Sequence, residues 1–406
     1  MQDVELFSQL LGLVKPWKLK EIKSDIPGKK ITLSIEYPEC HKGICPVCKN
    51  ECSIYDRNDL KKWRHLDTMQ FETIIECRVP RINCKDDGVK TMDVPWAGKR
   101  SQFTLLFERF AIEVILHSAT QKSAMEILRL SWDEVHHLQE RAVKRGLEKR
   151  EEVEFKRIGI DEKSFLKGHN YASIMHDVDS AKVIDVVQGR DENSVKKLFD
   201  SLSEVQKNSI EAVAMDMWQP YMSVADFVLP NADIVHDKFH VAGYLSKAVD
   251  KVRKQEHREL MNQNDDSLKR TKYLWLKDIN NFNSDEKWLF NILKQMNLDV
   301  GRAWAIKESF RHFWAYKSET WADKFFKEWF FWSTHSKLEP IIDAAYTLKR
   351  HYEGIKNYIK HRITNSKAEG LNSKIQAIKS AARGFRNFSN FRIAILFHCG
   401  GLALYP

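Results

Sequence analysis

No stretch of this chain approaches the roughly 18 consecutive apolar residues that a helical membrane span requires, so no such span is expected. The opening residues, Met1-Gln2-Asp3-Val4-Glu5-Leu6-Phe7, lack the Lys or Arg that begins a secretory signal and carry acids instead. A cytoplasmic protein is the expectation. Cysteine is scarce, with seven in 406 residues, and its placement is uneven. Cys40, Cys45, Cys48, Cys52 and Cys77 fall within one short segment, Cys84 comes next, and Cys399 stands alone. In a reducing compartment that clustering argues against a disulfide framework and for metal binding.

At 406 residues the chain is too long for one ordinary domain, and two to four modules are expected. The 65 Lys and Arg outweigh the 56 Asp and Glu, giving a net charge of +9 that attracts polyanions.

Residues 1–38 combine a short amphipathic stretch, Leu6 to Val14, with a strand-like Ile31 to Tyr37, and are expected to pack on the cysteine-bearing module next to them. Residues 39–100 hold the clustered cysteines, a turn region at Trp63-Arg64-His65-Leu66-Asp67, and an alternating Phe71 to Val79 that reads as β. Across 101–150 the period becomes helical. Leu105, Leu106, Phe107, Phe110, Ile112, Val114 and Ile115 supply an apolar face, and a helix pair comes after it. The first helix runs from Thr120 to Leu128 and the second starts at Ser131, where Ser131 and Glu134 have capping-box spacing. The short Arg129-Leu130 connection and the basic exit Arg141, Lys144 and Arg145 suit a helix-turn-helix lying across DNA.

Residues 151–245 read as three antiparallel strands (Ile158 to Ile160, Tyr171 to Met175, Val183 to Val187), a helix from Asn193 to Val205, then strands at Ala212 to Met215 and Ala232 to Val235. That is the ribonuclease-H-like order. From 246 to 360 long charged helical patterns take over, with seven of the twelve tryptophans, expected mainly in a core, with stacking on DNA bases or a bound helix as the alternative. Residues 361–406 return with a helix near Ala368 and an apolar Ile393 to Phe397. The expected fold class is multi-domain α+β/α/β: a ribonuclease-H-like catalytic core with a large α-helical insertion, preceded by a small zinc-finger β module and a helix-turn-helix.

Three acidic words stand out: Ile158-Gly159-Ile160-Asp161-Glu162, Ala214-Met215-Asp216-Met217-Trp218, and Asn365-Ser366-Lys367-Ala368-Glu369-Gly370-Leu371-Asn372. Asp161 and Asp216 interrupt or end β-like runs and Glu369 opens a helix. Phosphodiester chemistry needs a deprotonated oxygen nucleophile and a stabilised leaving oxygen, which two hard cations roughly 3.5–4 Å apart provide. Mg²⁺ keeps several waters, so three carboxylates suffice to hold it. In a ribonuclease-H-like sheet the first and fourth strands are neighbours, which would bring Asp161 and Asp216 together. Asp237 and His240 share one side of a helical turn; His240 is read as orienting the scissile phosphate, bonding a catalytic acid, or serving as a buried structural histidine. Asp177, Asp179 and Asp191 are read as turn and cap residues. No Tyr or Ser motif suggests a covalent protein–DNA intermediate.

Cys45-Pro46-Val47-Cys48 has the knuckle spacing with which two thiolates grip Zn²⁺. The second pair would be Cys84 and Asp87, with Cys40, His41 and Cys52 as reserves, Cys77 as a core residue, and loss of the metal as the alternative. Lys61, Lys62, Arg64, Arg78, Arg81, Lys99 and Arg100 are available for phosphates.

The acidic words, together with His169-Asn170-Tyr171-Ala172, Gly189-Arg190-Asp191 and Asp237-Lys238-Phe239-His240-Val241, resemble in wording and order the ISL-three family of bacterial insertion-sequence transposases. The resemblance covers nearly the whole chain. It implies a DDE transposase that cleaves and transfers DNA strands, with Asp161, Asp216 and Glu369 holding two Mg²⁺ or Mn²⁺ ions. It further implies a zinc module that helps the helix-turn-helix, through Arg129, Arg141, Lys144 and Arg145, to bind terminal inverted repeats, and a homodimer or larger synaptic complex on element and target DNA. The family pattern places Cys or His at position 87, where this chain has Asp87. The alternative function is a transposase-derived DNA-binding regulator without cleavage.

Overall fold

Apolar residues along Phe71–Cys77 bury Ile74, Ile75 and Cys77, and this segment becomes a central strand of the N-terminal sheet. In the computed structural model, which describes residues 2–166, 170–363 and 366–406, the chain divides into two units, Met1–Arg150 with Leu402–Pro406, and Glu151–Gly401. His169 and Asn365, each part of a sequence word shared with the family, lie outside the described residues.

The first unit begins with α1 (Gln2–Leu10), β1 (Lys18–Asp25), β2 (Lys30–Glu36), β3 (Gly43–Ile44) and β4 (Glu51–Arg57). It continues through β5 (Lys61–Thr68), β6 (Phe71–Cys77), β7 (Pro80–Cys84) and β8 (Gly88–Thr91). Two four-stranded sheets result, ordered β1-β2-β6-β5 and β3-β4-β7-β8. Residues 1–38 therefore do not merely pack on the cysteine module: β2 pairs with β6 in parallel and completes its sheet. The Trp63 to Asp67 segment, expected as a turn, lies within β5, where Trp63 pairs with Ile75 and is buried against Trp96 at 5.6 Å. β1 escaped the sequence reading because it is an edge strand with nearly every side chain exposed, so it carries no apolar alternation.

Three helices come next, α2 (Leu105–His117), α3 (Gln121–Leu128) and α4 (Trp132–Glu148). Thr104, Thr120 and Ser131 cap their N-termini, and Ser131 with Glu134 forms the expected capping box. Arg129 ends α3 in the left-handed conformation at φ 55°. The last five residues return to this unit rather than to the acidic core. Tyr405 donates its hydroxyl to Glu113 at 2.6 Å, and Leu402 lies where a Cβ on Gly146 would be.

The second unit holds β9 (Arg157–Leu166), β10 (Asn170–Asp177), β11 (Val183–Gln188), β12 (Ala212–Met215) and β13 (Asp233–His236) in the order β11-β10-β9-β12-β13. β9 to β11 are antiparallel, while β12 runs parallel to β9 and to β13. α5 (Glu192–Asp200) and α6 (Glu204–Ser209) replace the single expected helix, because Ser203 and Gln206 form a capping box that starts a new one. α7 (Gln219–Val228) joins β12 to β13.

After β13 the chain is helical: α8 (Lys238–Asn262), α9 (Lys272–Leu276), α10 (Ser284–Gln295), α11 (Asp299–Phe310), α12 (Glu319–Thr334), α13 (Glu339–Arg350) and α14 (Tyr352–His361). These helices share a core around Trp275, Phe290, Phe310, Phe313 and Trp329. Not all tryptophans there are core, since Trp288, Trp321 and Trp332 are exposed. α14 is tied back to β13 through Asn357, which donates to the Ile234 carbonyl at 2.9 Å, and through Lys360 and His361 on Asp233. α15 (Ser366–Ala381) and α16 (Phe388–Cys399) close the unit, with Arg392 of α16 donating to Asp185 of β11 at 2.8 Å. Among the described residues no helix is long and apolar enough to cross a membrane.

Candidate active site

Strand register brings the first two acids together. Ala214 of β12 pairs with Gly159 of β9, and two residues further along each strand stand Asp216 and Asp161. Glu369 comes from the first turn of α15. All three line one cavity of about 420 Å³, along with Glu162, Asp237 and His240. The three acids do not converge tightly: among the described residues, the set of three or more ligand atoms lying within 4.8 Å of one another is elsewhere, in the cysteine module.

Asp161 is held at both oxygens. Oδ1 accepts from the Glu162 amide at 2.8 Å, and Oδ2 accepts from the side-chain amide of Asn372, with Lys163 Nζ 3.9 Å away. Asn372 lies one helical turn after Glu369, so both project from the same side of α15. Asp216 Oδ1 accepts from the Met217 amide at 2.6 Å, and Oδ2 lies 3.3 Å from His240 Nδ1. His240 Nε2 is 3.8 Å from Asp237, which caps α8 by accepting from the Phe239 amide at 2.9 Å. The His240 ring is half exposed rather than buried, with an acid on each side of it. Burial pushes the Asp237 carboxyl up, the Phe239 amide and His240 oppose this, and the charges of Asp161 and Glu369 add to it.

Three neighbours were not singled out from sequence as site residues. Asn372 ends the third acidic word, but its partner is visible only in three dimensions. His176 lines the cavity from β10, buried, with Nδ1 lacking a hydrogen-bond partner among the described residues. Arg190 lies 4.1 Å from the Tyr171 ring and 4.8 Å from the Trp218 ring, pairs with Glu162 at 3.3 Å, and accepts at its carbonyl from Trp218 Nε1. Asp191 caps α5 and Asp177 closes a turn by accepting from the amides of Asp179 and Ser180.

In the first unit Cys45, Cys48, Cys84 and Asp87 place one ligand atom each within 4.8 Å of the others. Cys48 Sγ is 3.4 Å from Cys84 Sγ, and Cys45 Sγ is 3.3 Å from an Asp87 oxygen. Three sulfurs and one carboxylate oxygen at this separation fit a tetrahedral zinc donor set. The reserves Cys40 and His41 contact each other at 3.1 Å in an exposed position outside the set, and Cys52 donates to the Asn50 carbonyl.

The basic exit of the helix-turn-helix is mostly spent inside the unit. Arg141 and Arg145 of α4 both grip Glu108 of α2, a carboxylate that is 3% exposed, and Arg145 also donates to the Leu404 carbonyl. A buried acid needs such partners, so both guanidiniums are engaged within the unit, Arg141 keeping about a third of its surface in solvent. Arg129 pairs with Asp67 yet stays exposed, as does Lys144. Arg64 is buried on Asp67 and Arg81 is paired with Asp56, whereas Lys61, Lys62, Arg78, Lys99 and Arg100 are exposed.

A zinc-type thiolate set, a capped helix pair and an acidic cavity at the junction of two parallel strands make up the layout of a DNA-handling enzyme. Comparison with known proteins is specific. A family model described as a transposase of the ISL3 type matches residues 158–395; the helix-turn-helix domain of transposase family ISL3 matches 92–143; and the zinc-finger of transposase IS204/IS1001/IS1096/IS1165 matches 41–87. The chain is 24% identical over 417 residues to the transposase for insertion sequence element IS1557 of Mycobacterium tuberculosis, covering 95% of this chain and 93% of the relative. It is 23% identical over 373 residues to the transposase for insertion sequence element IS1001 of Bordetella parapertussis, covering 91% of each. The chain belongs to the ISL3 family of transposases, with zinc-finger, helix-turn-helix and DDE transposase domains.

Proposed function

We propose that this transposase cuts DNA at the ends of its element and joins them to target DNA in the acidic cavity, with Asp161, Asp216 and Glu369 holding two Mg²⁺ or Mn²⁺ ions. The observation that carries this is convergence: acids 55 and 153 residues apart in sequence, on β9, after β12 and on α15, border one cavity. Their spread suits sharing between two ions roughly 3.5–4 Å apart better than crowding on one. Bound there, such ions supply an activated water or 3′-hydroxyl and stabilise the leaving oxygen. The chain's own groups prepare the place. Asn372 and the Glu162 amide fix both oxygens of Asp161, and the Met217 amide fixes one oxygen of Asp216 while His240 lies 3.3 Å from the other. The sheet order, three antiparallel strands and then two parallel ones, supports a ribonuclease-H-like core, with α8 to α14 as an insertion between the fifth strand and the acid helix.

Cys45, Cys48, Cys84 and Asp87 are the residues to hold Zn²⁺, which would pin β3-β4 to β7-β8. The zinc module and helix-turn-helix then bind the terminal inverted repeats, with Lys144, Lys61, Lys62, Arg78, Lys99 and Arg100 as the exposed cations for phosphates and Arg129 for the turn. Two ends must be cut and joined together, so the working form is a dimer or larger. With purified protein, Mg²⁺ and a duplex ending in the element's own repeat, 3′-hydroxyl ends are expected. Asp161→Asn, Asp216→Asn and Glu369→Gln should each abolish them while repeat binding persists; normal cutting by those variants would overturn the assignment.

A further inference from the structure

His176 stands on β10 directly opposite Gly159 of β9. Residues 159 and 161 point to one face of the sheet, so the ring shares its face with Asp161. It borders the acidic cavity and is only 5% exposed. Glycine at 159 makes its position available: a Cβ there would lie 2.3 Å from His176 Cε1 and 2.5 Å from Nε2. Burial lowers the ring's basicity, against the opposing charges of Asp161 and Asp177, and a neutral imidazole has one hydrogen to place.

Of the other donors bordering the cavity, Lys163 and His240 lie beside the acids, at 3.9 Å from Asp161 and 3.3 Å from Asp216, and three more are hydrogen-bonded within the protein. Trp218 Nε1 donates to the Arg190 carbonyl at 3.1 Å, the Tyr221 and Ser173 hydroxyls share a bond at 2.6 Å, and Asn372 donates to Asp161. The His176 Nδ1 is buried and has no partner among the described residues. A buried N–H without an acceptor is costly, which favours the hydrogen on Nε2, the nitrogen that lies against cavity-lining Gly159. The result is a neutral donor among carboxylates. It does not bind a cation through that nitrogen; its complement is an anionic oxygen.

Resting on the reading that this cavity cuts DNA, we infer that His176 donates from Nε2 to a non-bridging oxygen of the phosphodiester held there. It is thus a substrate-contacting residue in addition to the three acids. The contact selects for a phosphate oxygen at one position and contributes binding that the carboxylates cannot supply. A hydrogen bond to a charged acceptor of this kind is worth about tenfold in affinity.

The test uses the full chain and a duplex ending in the element's own repeat, with Ca²⁺ to keep the DNA uncut, and measures equilibrium binding. Separate stereoisomers of a single methylphosphonate at the scissile position remove one non-bridging oxygen at a time. One stereoisomer should weaken wild-type binding about tenfold more than it weakens His176→Leu, and His176→Gln, which keeps an N–H near the Nε2 position, should restore most of that difference. Because each ratio is taken within one variant, a change in folding cancels. Equal penalties in wild type and His176→Leu for both stereoisomers would overturn the inference. If instead Asp161→Asn cuts DNA normally in Mg²⁺, the cavity reading fails and this inference fails with it.

Discussion

Replacing Gly159 with alanine tests the packing on which the cavity is built. The added methyl would fall 2.3 Å from His176 Cε1, 2.5 Å from Nε2 and 3.2 Å from Nδ1, all atoms of a ring that is 5% exposed. The ring cannot swing into solvent, and the Gly159–His176 pairing fixes both backbones. Overpacking of a buried site costs about 1–3 kcal/mol, and contacts this short put Gly159→Ala at the upper end. For a unit of this size that corresponds to about 4–10 °C in the melting transition. Differential scanning calorimetry of the full chain reads it, with the transition of the other unit as an internal reference. Adding His176→Val removes the obstacle, so the double variant should be less destabilised than the sum of the singles by about 1–2 kcal/mol. Gly301→Ala on α11 is the control: a Cβ there meets nothing within 4 Å, and helix propensity makes the change neutral or stabilising. A Gly159→Ala melting curve matching wild type, or strict additivity with His176→Val, would refute the reasoning.

The same geometry carries further expectations. Glu108→Leu strands Arg141 and Arg145 without their shared partner and should destabilise the first unit by about 2–4 kcal/mol in urea unfolding, less than a fully buried pair because both guanidiniums keep some water. Burial, aided by Arg64 for His65 and by Lys374 for His398, holds both rings down at about 4, against 6.5 for an open histidine. The unfolded chain therefore takes up protons first as pH falls. The stability from these rings is full above about 6.5 and is lost as pH falls toward 4, by up to about 3 kcal/mol each, which melting curves between pH 7 and 4.5 would register. Metal analysis should find one zinc per chain in the cysteine module. Asp87→Ala should lower zinc affinity at least about tenfold and Asp87→Cys should keep it, as competition with a chromogenic chelator would show; unchanged affinity in Asp87→Ala would remove Asp87 from the set.

Much of the site was legible because its acids sit at points where the local pattern breaks. An aspartate interrupting Ile158-Gly159-Ile160 or ending Ala212-Val213-Ala214-Met215 is conspicuous, and strand order then predicts that the two strands are neighbours, as the parallel β9-β12 pairing bears out. The cap at Ser131 was readable for the same reason, since a hydroxyl at a helix start with Glu three residues on has a local job. What sequence could not give depends on partners far along the chain. Glu108, more than thirty residues before Arg141 and Arg145, holds both, and no local pattern announces that pairing. Asn372 meets Asp161 across 211 residues, and His176 matters only because Gly159 lies opposite it. The exposed strand β1 and the return of Leu402–Pro406 to the first unit carried no periodic signal at all.

Asp161, Asp216 and Glu369, as proposed, form one divalent-ion site. Fe²⁺ loaded in place of Mg²⁺ and given ascorbate and peroxide generates hydroxyl radicals that cut the nearby backbone, so the fragments map the site. Cuts should cluster near residues 161, 216 and 369, fade as Mg²⁺ is added, and vanish in Asp161→Asn. Cutting confined to the cysteine module, or cutting at the acids that Mg²⁺ does not suppress, would contradict it.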